Sequence, residues 1–127
     1  MVSCPASSDR PSQSPLVLVV DDDAAIRQLV EFGLQINDFR VSLAADGREA
    51  LERFAAERPD WVLLDVSMPG VPGTEVLAEL MHVEPRPRVV IMTGHLGDPS
   101  RFPGAHGILE KPFSFEALLD LLRPGAS

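Results

Sequence analysis

The 127-residue chain has one cysteine, Cys4, and so no partner for an internal disulfide. One thiol is also too few for a cysteine-rich zinc site, and its scarcity suits a reducing compartment. Basic residues are few: 11 Lys and Arg stand against 19 Asp and Glu, a formal net charge of -8. A nucleic-acid backbone and an anionic membrane surface are both repelled by that charge, so neither is expected as a direct partner, while basic partners stay open. No apolar run near the start has the length of a signal-peptide core, and none anywhere is long enough to span a bilayer. The expectation is a cytoplasmic protein without membrane insertion. With 45% hydrophobic and 24% charged residues, the chain suits one soluble domain with a real core.

Residues 1–15 are rich in Ser and Pro and poor in large apolar side chains, which predicts a flexible tail. Leu16 to Val20 is a β-branched apolar run of strand length, suited to a sheet covered on both faces. Asp21, Asp22 and Asp23 follow at once. Asp23 is placed to cap a helix starting at Ala24, whose recurring face carries Ile26, Leu29, Val30 and Gly33. One helix end hardly needs three acids. Phe39 to Ala44 reads as a second strand; the Asp46-Gly47 pair reads as a turn, and a helix bearing Ala50, Leu51, Phe54 and Ala55 stops before Pro59. Trp61 to Leu64 is the third strand, and Asp65 stands where it leaves the core. Met68-Pro69-Gly70 then break regular structure.

Thr74 opens a third helix with Val76, Leu77, Leu80 and Met81, closed by Pro85 and Pro87. Arg88 to Met92 is a fourth strand, ending at Thr93-Gly94. From Gly94 to Gly107 the prolines Pro99 and Pro103, several glycines and the lack of apolar periodicity argue against a regular helix. Ile108-Leu109 is a short fifth strand before Glu110-Lys111-Pro112. A last helix carries Phe115, Leu118, Leu119 and Leu122, with Ser114 as its cap, until Pro124-Gly125 stops it. Trp61 and the last helix's Leu stripe read as core. Such alternation predicts an α/β fold, doubly wound around a five-stranded parallel sheet.

Ligands of doubly wound sheets bind at the carboxyl ends of the strands. Asp21, Asp22, Asp65, Thr93 and Lys111 all fall there. Three crowded carboxylates call for a cation, because like charges raise one another's pKa. Hard oxygen donors without His or Cys suit Mg²⁺. A carboxylate surrounded by a metal, a lysine and a threonine hydroxyl describes a phosphoryl-transfer site with the carboxylate as nucleophile. The plainer reading, that Asp65 only begins a turn, competes while the residue is taken alone.

"VLVVDDD", "VLLDVSMPG", "MTG" and "EKPF", in that order and at those strand ends, resemble the receiver domains of two-component response regulators, including the chemotaxis-regulator type. The resemblance spans Leu16 to Arg123. It implies a flavodoxin-like sheet in the order 2-1-3-4-5, a receiver domain over 16–124 and a short C-terminal tail at 125–127. It also implies that Asp65 accepts a phosphoryl group from a sensor histidine kinase, a histidine phosphotransfer protein or a small phosphodonor. Asp22 and Asp65, with the main-chain carbonyl of Ser67, then hold Mg²⁺, and Asp21 acts largely through water. Asp65, Val66, Ser67, Thr93, Gly94 and Lys111 surround the phosphoryl group: Thr93 swings toward it, Lys111 pairs with it and Gly94 leaves the site open. Pro112 matches a family proline that often follows a cis bond. A chain of this kind catalyses its own phosphorylation and dephosphorylation rather than turning over a separate substrate.

Two departures from the family stand out. Ile108 occupies the place of a switching aromatic residue three positions before the lysine. The interval from Thr93 to Lys111 is short, with prolines where the family has its fourth helix, so that helix is expected to be shortened or irregular. Ser67 and His95 occupy positions that tend to tune dephosphorylation in the family, although a solvent-exposed loop residue is the favoured reading of His95. Competing functions are a phosphorelay intermediate, a small aspartyl-phosphate phosphatase and a pseudo-receiver that only binds partners. "DDDAA" lacks the Asp-x-Asp arrangement of haloacid-dehalogenase-like phosphatases, and the complete acid, Thr and Lys set argues against a pseudo-receiver.

Overall fold

The structure, a computed structural model, describes residues 14–66, 73–94 and 102–122. Strands β1 (Leu16–Val20), β2 (Arg40–Ala44), β3 (Trp61–Asp65), β4 (Arg88–Thr93) and β5 (Gly107–Glu110) form one sheet in the order β2-β1-β3-β4-β5. All neighbouring pairs are parallel. Helices α1 (Ala24–Ile36), α2 (Gly47–Glu57), α3 (Gly73–Leu80) and α4 (Phe115–Leu122) cover it. The doubly wound, flavodoxin-like architecture and its strand order are therefore those expected.

Alternate strand residues face opposite layers, which explains why the central strands are apolar without interruption. Leu18, Val20, Val62, Leu64, Val89 and Ile91 meet Phe54 of α2 and Val76, Leu77 and Leu80 of α3. Val17, Val19, Leu63, Val90 and Met92 meet Val30 and Leu34 of α1 and the leucines of α4. Trp61 is buried, as its core reading required.

Local chemistry sets the element ends. Asp23 Oδ1 accepts the amides of Ala25 and Ile26, capping α1. Asp46, read as a turn residue, instead caps α2 by accepting Glu49 N–H, while Glu49 reaches back to Ala45 N–H at 2.8 Å. Arg58 ends α2 in a left-handed conformation, φ 51°. Ser114 Oγ accepts the Ala117 amide at 3.1 Å, fulfilling its expected role.

Three expectations need correction or limits. Leu29 was placed on the core face of α1, yet it is 69% exposed; Leu34, one turn past Val30, is the residue buried with it. The tail predicted to reach residue 15 is anchored earlier, because the carbonyls of Ser14 and Pro15 both accept hydrogen bonds from Arg40. Residues 1–13 and 123–127 lie outside the described residues. Between β4 and β5, residues 102–106 form no helix, and Phe102, whose role the lack of periodicity concealed, is 3% exposed in the core beneath α3; residues 95–101, His95 among them, lie outside the described residues.

Candidate functional site

The parallel register brings the strand ends together. Val20 pairs with Leu64 and with Ala44, so Asp21 and Asp65 each follow the same transverse row. Asp65 pairs with Met92, which places Thr93 one step beyond it on β4. Thr93 pairs with Glu110, so Lys111 follows at the same edge, and its amide donates to the Thr93 carbonyl at 2.7 Å. Four strands thus deliver the predicted residues to one place, across up to 90 positions of sequence.

The carboxylates of Asp21, Asp22 and Asp65 each offer an oxygen within 4.8 Å of the others. Asp21 is 0% and Asp65 2% exposed, whereas Asp22 faces solvent. Lys111 Nζ donates to Asp21 Oδ2 at 2.8 Å and to Asp65 Oδ2 at 3.2 Å. Burial of the ammonium pulls its pKa down, but the hydrogen bond to Asp21, the two negative charges and the hydrogen bond to Asp65 outweigh that, and the net shift is upward from 10.5. Lys111 is accordingly a fixed positive charge. Both oxygens of Asp21 carry a hydrogen bond, since its Oδ1 accepts the Asp23 amide at 2.9 Å.

The all-oxygen donor set, with one member open to solvent, fits a hard divalent cation such as Mg²⁺, which retains several waters. Ser67, expected to add a main-chain carbonyl, lies outside the described residues. Thr93 is buried, 4% exposed, at the edge of the site. Gly94 is exposed, and a Cβ there would meet nothing within 4 Å. Val66 follows Asp65, but its amide donates to the Met92 carbonyl at 3.1 Å, so in this conformation its backbone donor serves the sheet. The Lys111-Pro112 bond is cis.

Two supporting residues escaped the sequence reading. Arg27 Nη1 donates to the main-chain carbonyl of Asp21 at 2.6 Å, tying α1 to the acidic loop. It is the one basic residue of α1, which was the available signal. Gly73 opens α3 directly against Val66; a Cβ there would lie 2.5 Å from Val66 Cα. Only its position after a Pro- and Gly-containing loop was visible in sequence, and that gave no hint of the contact.

Fold and site together define a small doubly wound α/β domain with an acidic, lysine-bridged centre at the carboxyl ends of its strands. The response regulator receiver domain profile matches residues 17–123. The response regulator MprA of Mycolicibacterium vanbaalenii is 40% identical over 111 residues, covering 84% of this chain and 48% of that regulator. Among solved structures, a CheY-like receiver domain protein from Methanospirillum hungatei superposes with a TM-score of 0.81 at 28% identity, over 87% of this chain and 91% of that one. The Thermotoga maritima response regulator TrrA, solved in complex with Mg²⁺-BeF, gives 0.78 at 30% identity, over 85% and 96%. The chain belongs to the response regulator receiver domain family. It spans about half the length of the curated regulators it matches.

Proposed function

We propose that this domain accepts a phosphoryl group on Asp65 from the phosphohistidine of a sensor histidine kinase, in a Mg²⁺-dependent reaction, and thereby switches its affinity for a protein partner in the bacterial cytoplasm. The observation that carries this reading is a buried carboxylate, Asp65, held 3.2 Å from a lysine ammonium and beside two further carboxylates. A carboxylate oxygen of Asp65 attacks phosphorus, the bond from phosphorus to the donor imidazole nitrogen breaks, and that nitrogen keeps the electron pair. Lys111 supplies positive charge to the transferred oxygens, and Asp21 holds Lys111 in place. Thr93, at the end of the adjacent strand, is positioned to meet the phosphoryl group. A divalent cation bound by Asp22, Asp65 and the Asp21 side of the cluster supplies further positive charge when present.

A protein donor is favoured by the surface beside the site. Leu29, Phe32 and Ile36 on α1 are 69%, 67% and 63% exposed. Leu29 also lines an apolar groove of about 360 Å³ whose wall includes Phe113, Phe115 and Lys111 itself. A helix bearing a phosphohistidine can bury its apolar face there while its imidazole reaches Asp65. Incubation with radiolabelled acetyl phosphate and Mg²⁺ tests the chemistry: the parent takes up label and Asp65→Asn does not. Equal labelling of both overturns the assignment.

A further inference from the structure

At the end of the sheet where the strands begin, about 13 Å from Asp65 along β3, lies a cavity of about 670 Å³. Arg58, Arg86 and Arg88 all line it, in a chain with only 11 basic residues. The Arg58 guanidinium sits 5.3 Å from the centre of the Phe54 ring, and that of Arg88 sits 5.2 Å from the centre of Trp61. A guanidinium stacked on a ring uses its face and leaves its N–H edge available. Among the described residues no carboxylate forms an ion pair with any of the three. Among the described residues Arg86 donates one weak side-chain hydrogen bond, to the Met81 sulfur at 3.8 Å.

The rest of the wall favours an acceptor-rich ligand. Pro15, Pro59, Pro85 and Pro87 contribute rigid apolar surface and no N–H groups, so the guanidiniums dominate as donors. Asp60 and Glu84 are the acids of the same wall; Asp60 already accepts the Leu16 amide at 2.9 Å, and the three guanidiniums outnumber the two carboxylates. Guanidinium forks match the paired oxygens of phosphate and carboxylate, and the volume lies in the range of small-ligand sites.

We propose that this cavity binds a small polyanion, a ligand bearing two or more phosphate or carboxylate groups, separately from the site at Asp65. Trp61 is the only tryptophan and lies under Arg88, so its emission reports binding. The full chain is titrated with pyrophosphate and, in a parallel arm, with succinate, at constant ionic strength in buffer freed of divalent ions over a chelating resin, so that none reaches the acidic cluster. At least one arm should saturate with a Kd of about 1 mM or below. Tighter binding of pyrophosphate identifies a phosphate ligand and tighter binding of succinate a carboxylate ligand. Arg86→Ala, at an exposed position, and Arg58→Asn, which tolerates the left-handed backbone, should each weaken binding by about tenfold or more. Asp65→Asn should bind as the parent does. Emission changes in both arms no larger than those with NaCl alone overturn the proposal, as does unaltered binding by Arg86→Ala or loss of binding in Asp65→Asn.

Discussion

Replacing Lys111 with Met should destabilise the metal-free protein, whereas neutralising Asp65 should not. At an effective dielectric of about 20, Lys111 attracts Asp21 at 2.8 Å by about 6 kcal/mol and Asp65 at 3.2 Å by about 5 kcal/mol. Carboxylates within 4.8 Å repel one another by about 3.5 kcal/mol or more on the same scale, less where Asp22 meets solvent. These gross energies are largely offset by desolvation, so their signs and ranking matter more than their sums. Lys111→Met removes both attractions and leaves two almost fully buried carboxylates facing each other. Breaking a buried pair costs about 3–5 kcal/mol, and with 22% of the lysine side chain exposed the expected loss is about 2–3 kcal/mol. Asp65→Asn loses one attraction and relieves two repulsions, so its stability should equal the parent's or exceed it by up to about 1 kcal/mol. Urea unfolding followed by Trp61 emission, without metal and then with Mg²⁺, measures both, and Mg²⁺ should restore part of the stability of Lys111→Met. If Asp65→Asn is destabilised as much as Lys111→Met, charge crowding does not organise this site.

Gly73→Ala should cost about 1–3 kcal/mol, because its methyl group meets the Val66 main chain, while Gly94→Ala, with open space around it, should stay within about 0.5 kcal/mol of the parent; thermal melts compare the two. The pKa of Lys111 is raised on folding, so its contribution to stability is complete below 10.5 and is lost as pH rises through the higher folded value. Urea midpoints of the parent minus Lys111→Met should therefore differ by a constant amount from neutrality to about pH 10 and converge above it; convergence below pH 9 contradicts the ion-pair geometry. Phe32→Glu, on the exposed stripe of α1, should leave stability and acetyl-phosphate labelling unchanged but slow transfer from a phosphorylated histidine kinase about tenfold or more, measured by loss of label from the kinase.

Much of the fold was written locally. Uninterrupted apolar strands announced a sheet covered on both faces, and the acids at their ends announced the site, because strand length and strand exit are properties of consecutive residues. Asp23 and Ser114 were legible as caps for the same reason. The parallel sheet itself followed from the alternation of strands and helices, and its strand order from the family resemblance. What local pattern could not supply were contacts whose partners lie far apart in the chain. Leu29 fits the apolar period of α1, but only the position of β1 and α4 decides that Leu34 is buried and Leu29 is not. Phe102 shows no periodicity because it enters the core from a turn. The lysine was expected beside Asp65; tertiary structure gave its shorter bond to Asp21, together with the Arg27 tie and the close approach of Gly73 to Val66. The sequence by itself determined which residues could carry phosphoryl chemistry and on which strand ends they stand. Tertiary structure alone decided how their charges are paired, because the energy of a buried charge depends on distances set by elements up to 90 residues apart.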